Sequence, residues 1–117
     1  MNERYIRQTM IPEIREAGQE KLKNAKVLIV GIGGLGSPIS LYLTAAGVGQ
    51  IGLIDDDIVS RSNLQRQILY TEAEIGQSKV ECACRRLLAL NSSTRFETYP
   101  NRFTPDNADR LISAYDI

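Results

Sequence analysis

Hydrophobic positions along this chain switch between two periods, and the switches mark its elements. Lys26-Val-Leu-Ile-Val30 is a β-branched and aliphatic run without alternation, the pattern of a strand buried on both faces of a parallel sheet. Residues 37–46 predict a helix with Ile39, Leu43 and Ala46 on one side, and Gly47 makes a natural stop. Ile51-Gly-Leu-Ile54 predicts a second strand, ended by Asp55-Asp56-Asp57. In residues 78–90, Val80, Cys84, Leu87 and Leu88 recur at the 3.6-residue period of a helix. Residues 95–99 alternate, with Phe96 and Thr98 opposite Arg95, Glu97 and Tyr99, as in a third strand. Thr104-Pro105 then supplies an N-cap and a proline at the first helical position, opening a helix through about Ser113.

Weaker signals fill the gaps. Residues 5–12 read as irregular and end at Pro12, and residues 13–24 carry Ile14, Ala17 and Leu22 at loosely helical spacing, interrupted by Gly18. Residues 63–69 predict a short helix inside a polar stretch. The order β-α-β-α-β-α defines an α/β, Rossmann-like, doubly wound parallel sheet in its first mononucleotide-binding half. Residues 1–24 form a helical N-terminal arm, and residues 25–117 form the nucleotide-binding domain. A further strand is expected to start at Asp116-Ile117, so the chain is expected to belong to a longer enzyme.

Gly31, Gly33 and Gly36 satisfy G-x-G-x-x-G directly after the first strand and at the mouth of a helix, and Gly34 opens the loop further. Such glycines let a phosphate approach the main chain, where free N–H groups and the positive helix end face the anion. Asp55, at the end of the next strand, stands where such folds place a carboxylate for ribose hydroxyls, a bond worth ~1.5–3 kcal/mol. Asp56 reads as a turn residue with a solvated charge, and Asp57 stays open between the two roles. The glycine loop alone would equally suit a NAD(P)-dependent oxidoreductase. The polar segment behind the acidic turn suits such an enzyme less. Ser62-Asn63-Leu64-Gln65-Arg66-Gln67 packs amides and a guanidinium there, and Lys79 opens the next helix. A triphosphate carries more charge than a pyrophosphate bridge and calls for Arg and Lys around it.

Composition narrows the classes. The chain has 117 residues, 43% hydrophobic and 24% charged, and its formal net charge is zero, without the basic excess of a nucleic-acid binder. No apolar run approaches the ~20 residues that span a bilayer, and no apolar stretch succeeds the polar N-terminus, so the expectation is a cytoplasmic protein. With no histidine and two cysteines, Cys82 and Cys84, the chain has neither a histidine triad nor a zinc ligand set. Both cysteines read as small core or interface residues.

Taken together, Arg4-Tyr-x-Arg-Gln8, Gly18-Gln19, Val27-Leu-Ile-Val-Gly-x-Gly-Gly-Leu-Gly36, Ala46-Gly-Val-Gly49, Asp55-x-Asp57, Ser62-Asn-Leu-x-Arg-Gln67 and Gly76-Gln-x-Lys79 resemble the ThiF/MoeB/HesA family, relatives of the ubiquitin-activating enzymes. The resemblance runs in order over nearly the whole chain. It implies ATP-dependent adenylation of the C-terminal glycine carboxylate of a ubiquitin-like sulfur-carrier protein, in molybdopterin or thiamine biosynthesis. It implies that Gly34, Asp55, Ser62, Asn63, Leu64, Gln65, Arg66 and Lys79 line the ATP site. It further implies that Arg7 reaches into the neighbouring subunit's site of a homodimer, with Arg66 and Lys79 as the other catalytic cations. A carboxylate is already ionised at pH 7, so this chemistry needs no general base. The resemblance puts the acidic magnesium ligand, the zinc-binding CxxC pairs and the catalytic cysteine of many members beyond Ile117. For the isolated chain, a nucleotide-binding or dimerisation module without turnover is the expected state.

Overall fold

A computed structural model of the protein describes residues 3–117. Three parallel strands, β1 (Lys26–Val30), β2 (Gln50–Ile54) and β3 (Arg95–Tyr99), lie in the order β1-β2-β3, with Lys26 opposite Gln50 and Gln50 opposite Arg95. The helices are α1 (Ile6–Thr9), α2 (Arg15–Asn24), α3 (Gly36–Ala46), α4 (Lys79–Leu90) and α5 (Pro105–Ile112). After α5 the chain crosses to the free edge of β1, where Leu28 N–H donates to the Ile117 carbonyl at 2.8 Å and Asp116 N–H to the Lys26 carbonyl at 2.7 Å. The connection through α3 therefore leads from β1 to one side, and the one through α5 returns the chain from β3 to the other side of β1. That makes the C-terminal end of β1 the topological switch point, where open α/β sheets place their ligands.

The core forms where strand alternation meets helix packing. Ile51 and Leu53 are fully buried with Ile29, Val59, Leu69, Val80, Cys82, Ala83 and Leu87. On the opposite face Gly52 leaves room for the Tyr115 ring, whose hydroxyl pairs with that of Tyr99 at 2.8 Å. The strands and the helices α3, α4 and α5 fall within a residue or so of the expected bounds. Gly47, at φ 96°, ends α3 in the left-handed conformation that glycine adopts without strain. No described helix is long and apolar enough to cross a membrane.

Four details differ from the sequence pattern. Residues 5–12 are not irregular: a 3-10 turn at Glu3–Tyr5 runs into α1, which side-chain bonds dock onto the domain. The expected helix at 63–69 is a 3-10 turn at Arg61–Asn63 succeeded by turns. The Asn63 side-chain carbonyl accepts from Ser60 N–H at 3.0 Å, and Leu69 is drawn inward onto the Ser37 hydroxyl. The side of α3 turned into the domain is the small polar one, with Ser37, Ser40 and Thr44 buried, while Ile39 is 49% exposed. β1 is not buried on both faces: Ile29 alone is buried, Val27 and Leu28 are half-buried and Val30 is 53% exposed, and residues 116–117 bond only to the start of its outer edge.

Candidate functional site

The glycine loop leaves β1 at Gly31, whose φ of 86° makes the first turn. A side chain at Gly36 would run into the Gly31 carbonyl, so the loop can close onto α3 only with glycine there. Ile32 is the loop's fixed point. Its side chain is fully buried, its N–H donates to Asp55 Oδ2 at 2.8 Å, and its carbonyl accepts the Tyr70 hydroxyl at 2.6 Å. Burial, and after it the Asp55 carboxylate, push the Tyr70 phenol pKa up, so it stays a donor at any physiological pH. With Ile32 held from both sides, Gly33, Gly34 and Leu35 arch over the start of α3. Their main-chain N–H groups have no backbone acceptor among the described residues. Main-chain N–H groups left free in this way at a helix N-terminus make a cradle that can take an anion.

Two side chains of the polar segment lie against the arch. A Cβ built on Gly34 would meet Arg66 Nε at 3.6 Å, and one on Gly33 would meet Gln67 Nε2 at 3.5 Å. The Arg66 guanidinium is tied back to the Ser62 carbonyl at 3.2 Å and is otherwise exposed, a cation held beside the loop. Gln67 is 3% exposed, and its side-chain carbonyl oxygen is buried with no hydrogen-bond partner among the described residues. The sequence placed Gln67 in the polar motif behind the acidic turn; only the structure shows its amide nitrogen against Gly33 and its carbonyl oxygen buried.

Lys79 joins from α4. Its side chain is only 5% exposed, and its ammonium pairs with Asp57 at 3.5 Å. Asp57 N–H donates in turn to Asp55 Oδ1 at 2.8 Å, so loop, Asp55, Asp57 and Lys79 form one connected chain. The open role of Asp57 thus falls to the lysine, while Asp56 makes a solvent-exposed pair with Arg102 at 3.9 Å, as a surface charge would. A cavity of about 210 Å³ adjoins Gly31 and Asp55 at this end of the sheet, and one of about 560 Å³ runs from Gly33 and Gly34 along β1, between Ile39 and Leu43 of α3 and Ile117.

Not every expected residue faces the cradle. Asn63 has its side-chain carbonyl committed to the Ser60 cap and Leu64 packs against the core, while Ser62 and Gln65 are exposed or nearly so. Arg7 is at the far end of the sheet, since its neighbours Tyr5 and Gln8 dock onto residues at the C-terminal ends of α3 and α4. A cavity of about 320 Å³ under that arm, lined by Tyr5, Gln19 and Gly47 among others, has no phosphate-binding loop. Cys82 is fully buried and Cys84 half-buried against the core, and burial raises both thiol pKa values above the ordinary cysteine range. The described residues form no group of three or more candidate metal ligands, so neither magnesium nor zinc is assigned to a residue here.

Sheet and loop together define a Rossmann-like α/β domain with its glycine loop at the switch point. The ThiF family model matches residues 5–117, and the chain belongs to that family. It is 48% identical over 115 residues to the sulfur carrier protein adenylyltransferase of Thermus thermophilus, covering 98% of this chain and 42% of that protein. Over 114 residues it is 47% identical to the adenylyltransferase and sulfurtransferase MOCS3 of Mus musculus, covering 97% of this chain and 25% of that one. The crystal structure of E. coli MccB with ATP superposes with a TM-score of 0.83 at 35% identity, over 96% of this chain and 34% of that chain. The chain therefore spans less than half the length of the curated relatives it matches. The resemblance carried by the glycine loop and the polar segment is a family membership.

Proposed function

We propose that the protein carrying this domain adenylates the C-terminal glycine carboxylate of a ubiquitin-like sulfur carrier, using ATP and releasing pyrophosphate. The observation that carries the reading is Arg66 laid against Gly34 of the cradle, with Lys79 turned in at the same end of the sheet. A dinucleotide needs the cradle but not the added cations, so the arrangement favours a triphosphate over NAD(P). In the step itself, a carboxylate oxygen of the carrier attacks the α-phosphorus, the bond to the β-bridging oxygen breaks, and pyrophosphate leaves with the negative charge. The cradle amides hold the phosphates, and Arg66 and Lys79 oppose the charge that moves to the leaving group. Aimed cations and donors of this kind are worth ~2.7–4 kcal/mol each, roughly 10²–10³ in rate. Magnesium would add charge neutralisation on the phosphates.

Asp55 is proposed for the ribose hydroxyls, since each carboxylate oxygen that accepts a main-chain N–H retains a second lone pair. Ser62, Asn63, Leu64 and Gln65 are proposed to border the nucleotide. Arg7 is proposed to act on the partner subunit of a cytoplasmic homodimer, with residues 1–24 as the contact. Its distance from its own cradle and the exposed Ile6, Met10 and Ile11 around it support that assignment. Of the two carrier pathways, molybdopterin has in its support a relative from Porphyra purpurea, 46% identical over 114 residues, named a probable molybdopterin-synthase adenylyltransferase; thiamine rests on the motif resemblance alone.

The test is ATP–pyrophosphate exchange by the full-length protein with Mg-ATP and carriers ending in Gly-Gly. Carrier-dependent exchange is expected, and silence with every such carrier overturns the reading.

A further inference from the structure

The N-terminal arm carries Arg7 on a helix of a single turn, Ile6–Thr9, with no buried residue of its own. One turn of helix is not stable in water by itself. Its direction is therefore set by whatever ties down the residues on either side of Arg7. On the C-terminal side, the Gln8 amide donates to the Gln19 side-chain carbonyl at 2.7 Å and to the Ala46 main-chain carbonyl at 3.0 Å. Gln19 donates to the same Ala46 carbonyl at 3.0 Å. Two side chains, eleven positions apart, thus converge on one carbonyl that the end of α3 leaves without a helical partner. On the N-terminal side, the Tyr5 hydroxyl accepts from the Asn91 amide at 2.7 Å, and Asn91 also donates to the Thr44 carbonyl at 3.0 Å. Gly47 makes room for both anchors: a Cβ there would come within 2.6 Å of Gln19 Nε2 and 2.8 Å of Tyr5 Cε1.

We infer that Gln8 and Gln19 are positioning residues that aim Arg7 at the partner subunit's site through their shared hold on the Ala46 carbonyl. The inference rests on the reading of Arg7 as acting in trans. Both anchors grip the end of the sheet opposite the cradle, so neither glutamine touches the nucleotide of its own subunit. Their loss leaves ATP binding intact and lets the arm sample directions in which Arg7 misses its target. A misplacement of about 1 Å costs roughly 100-fold in rate, so Gln8→Ala should lower kcat for carrier-dependent exchange by about 10- to 100-fold while leaving KM for ATP nearly unchanged.

Mixed dimers separate aiming in trans from a local structural role. Full-length Arg7→Ala and Asp55→Ala proteins, each inactive alone, should recover activity when mixed, because one hybrid site keeps both residues. Gln8→Ala mixed with Asp55→Ala should recover likewise, because the intact Asp55 site then receives Arg7 from an arm with an intact clamp. Gln19→Ala is the second variant and should behave in the same way. Recovery with Arg7→Ala but none with either glutamine variant overturns the positioning role and leaves the Arg7 reading standing. No recovery with Arg7→Ala overturns the Arg7 reading, and this inference with it.

Discussion

Lys79 and Asp57 show how one pair can serve both fold and site. The ammonium is nearly enclosed, whereas Asp57 is 71% exposed at its side chain, so the pair stands at the boundary between core and solvent. A fully buried pair broken on one side costs about 3–5 kcal/mol, and an exposed one about 0–1 kcal/mol. Asp57→Ala should fall between, lowering stability by about 1–3 kcal/mol because the lysine charge stays enclosed without its partner. A triphosphate supplies that missing anion, so saturating ATP should raise the melting temperature of Asp57→Ala more than that of the parent protein. Equal ATP-induced shifts in the two proteins would show that Lys79 does not meet the phosphates. The residue scale also explains why the sequence put Gln67 in its polar motif without showing it as buried: burial of a polar atom without a partner is a property of its surroundings, not of its neighbours along the chain.

At the scale of elements, the strand–loop–helix unit divides its glycines by task. Gly36 sits where a methyl group would strike the Gly31 carbonyl, a main-chain atom that cannot swing aside. Gly36→Ala should therefore destabilise the fold by about 1–3 kcal/mol, the range for forcing a methyl group into a packed site, measured by urea denaturation. Gly34 has no such obstacle, and an added Cβ there meets Arg66 at the ordinary distance of 3.6 Å. Gly34→Ala should keep the urea midpoint nearly unchanged and weaken ATP binding by calorimetry, since the methyl group stands where phosphate approaches the main chain. A reversed pattern, with Gly34→Ala unfolding and Gly36→Ala losing only nucleotide, would remove the cradle assignment. The polar inner face of α3 has the same origin: Ser37, Ser40 and Thr44 are small, and Ser37 accepts Leu69 N–H, seating the polar segment beside the loop. An apolar face would have packed there without holding that segment in place.

Over the whole molecule, one end of the sheet gathers the charged chemistry and the other holds the arm. Loop, acidic turn, Arg66 and Lys79 meet at the C-terminal ends of the strands, while Tyr5, Gln8 and Asn91 meet at their beginnings. Strands of five residues separate the two groups by about 16 Å, which sets the arm that carries Arg7 away from the loop of its own chain. A ligand that binds only the folded state stabilises it by about 2.7 kcal/mol at 100 times its Kd. ATP at millimolar concentration should therefore raise the melting temperature of the protein by several degrees, and NAD at the same concentration should raise it less. A larger shift with NAD would reverse the order of the two nucleotides.

The sequence by itself determined the parallel α/β order, the bounds of most elements, the glycine loop between β1 and α3, and the family. Each of these rests on local chemistry: a hydrophobic period, a glycine where a side chain has no room, a proline at a helix start. It also marked Asp55, Arg66 and Lys79, because residue type and position after a strand are readable along the chain. Only the tertiary structure decided which side of α3 turns inward, that Asp57 answers Lys79, that Gln67 lies against the loop, and that the arm is folded and clamped. Those outcomes depend on contacts between segments far apart in the chain, such as Asn91 with Tyr5 or Gln8 with Ala46. Such contacts become energetically meaningful only once packing has excluded water and brought the partners together.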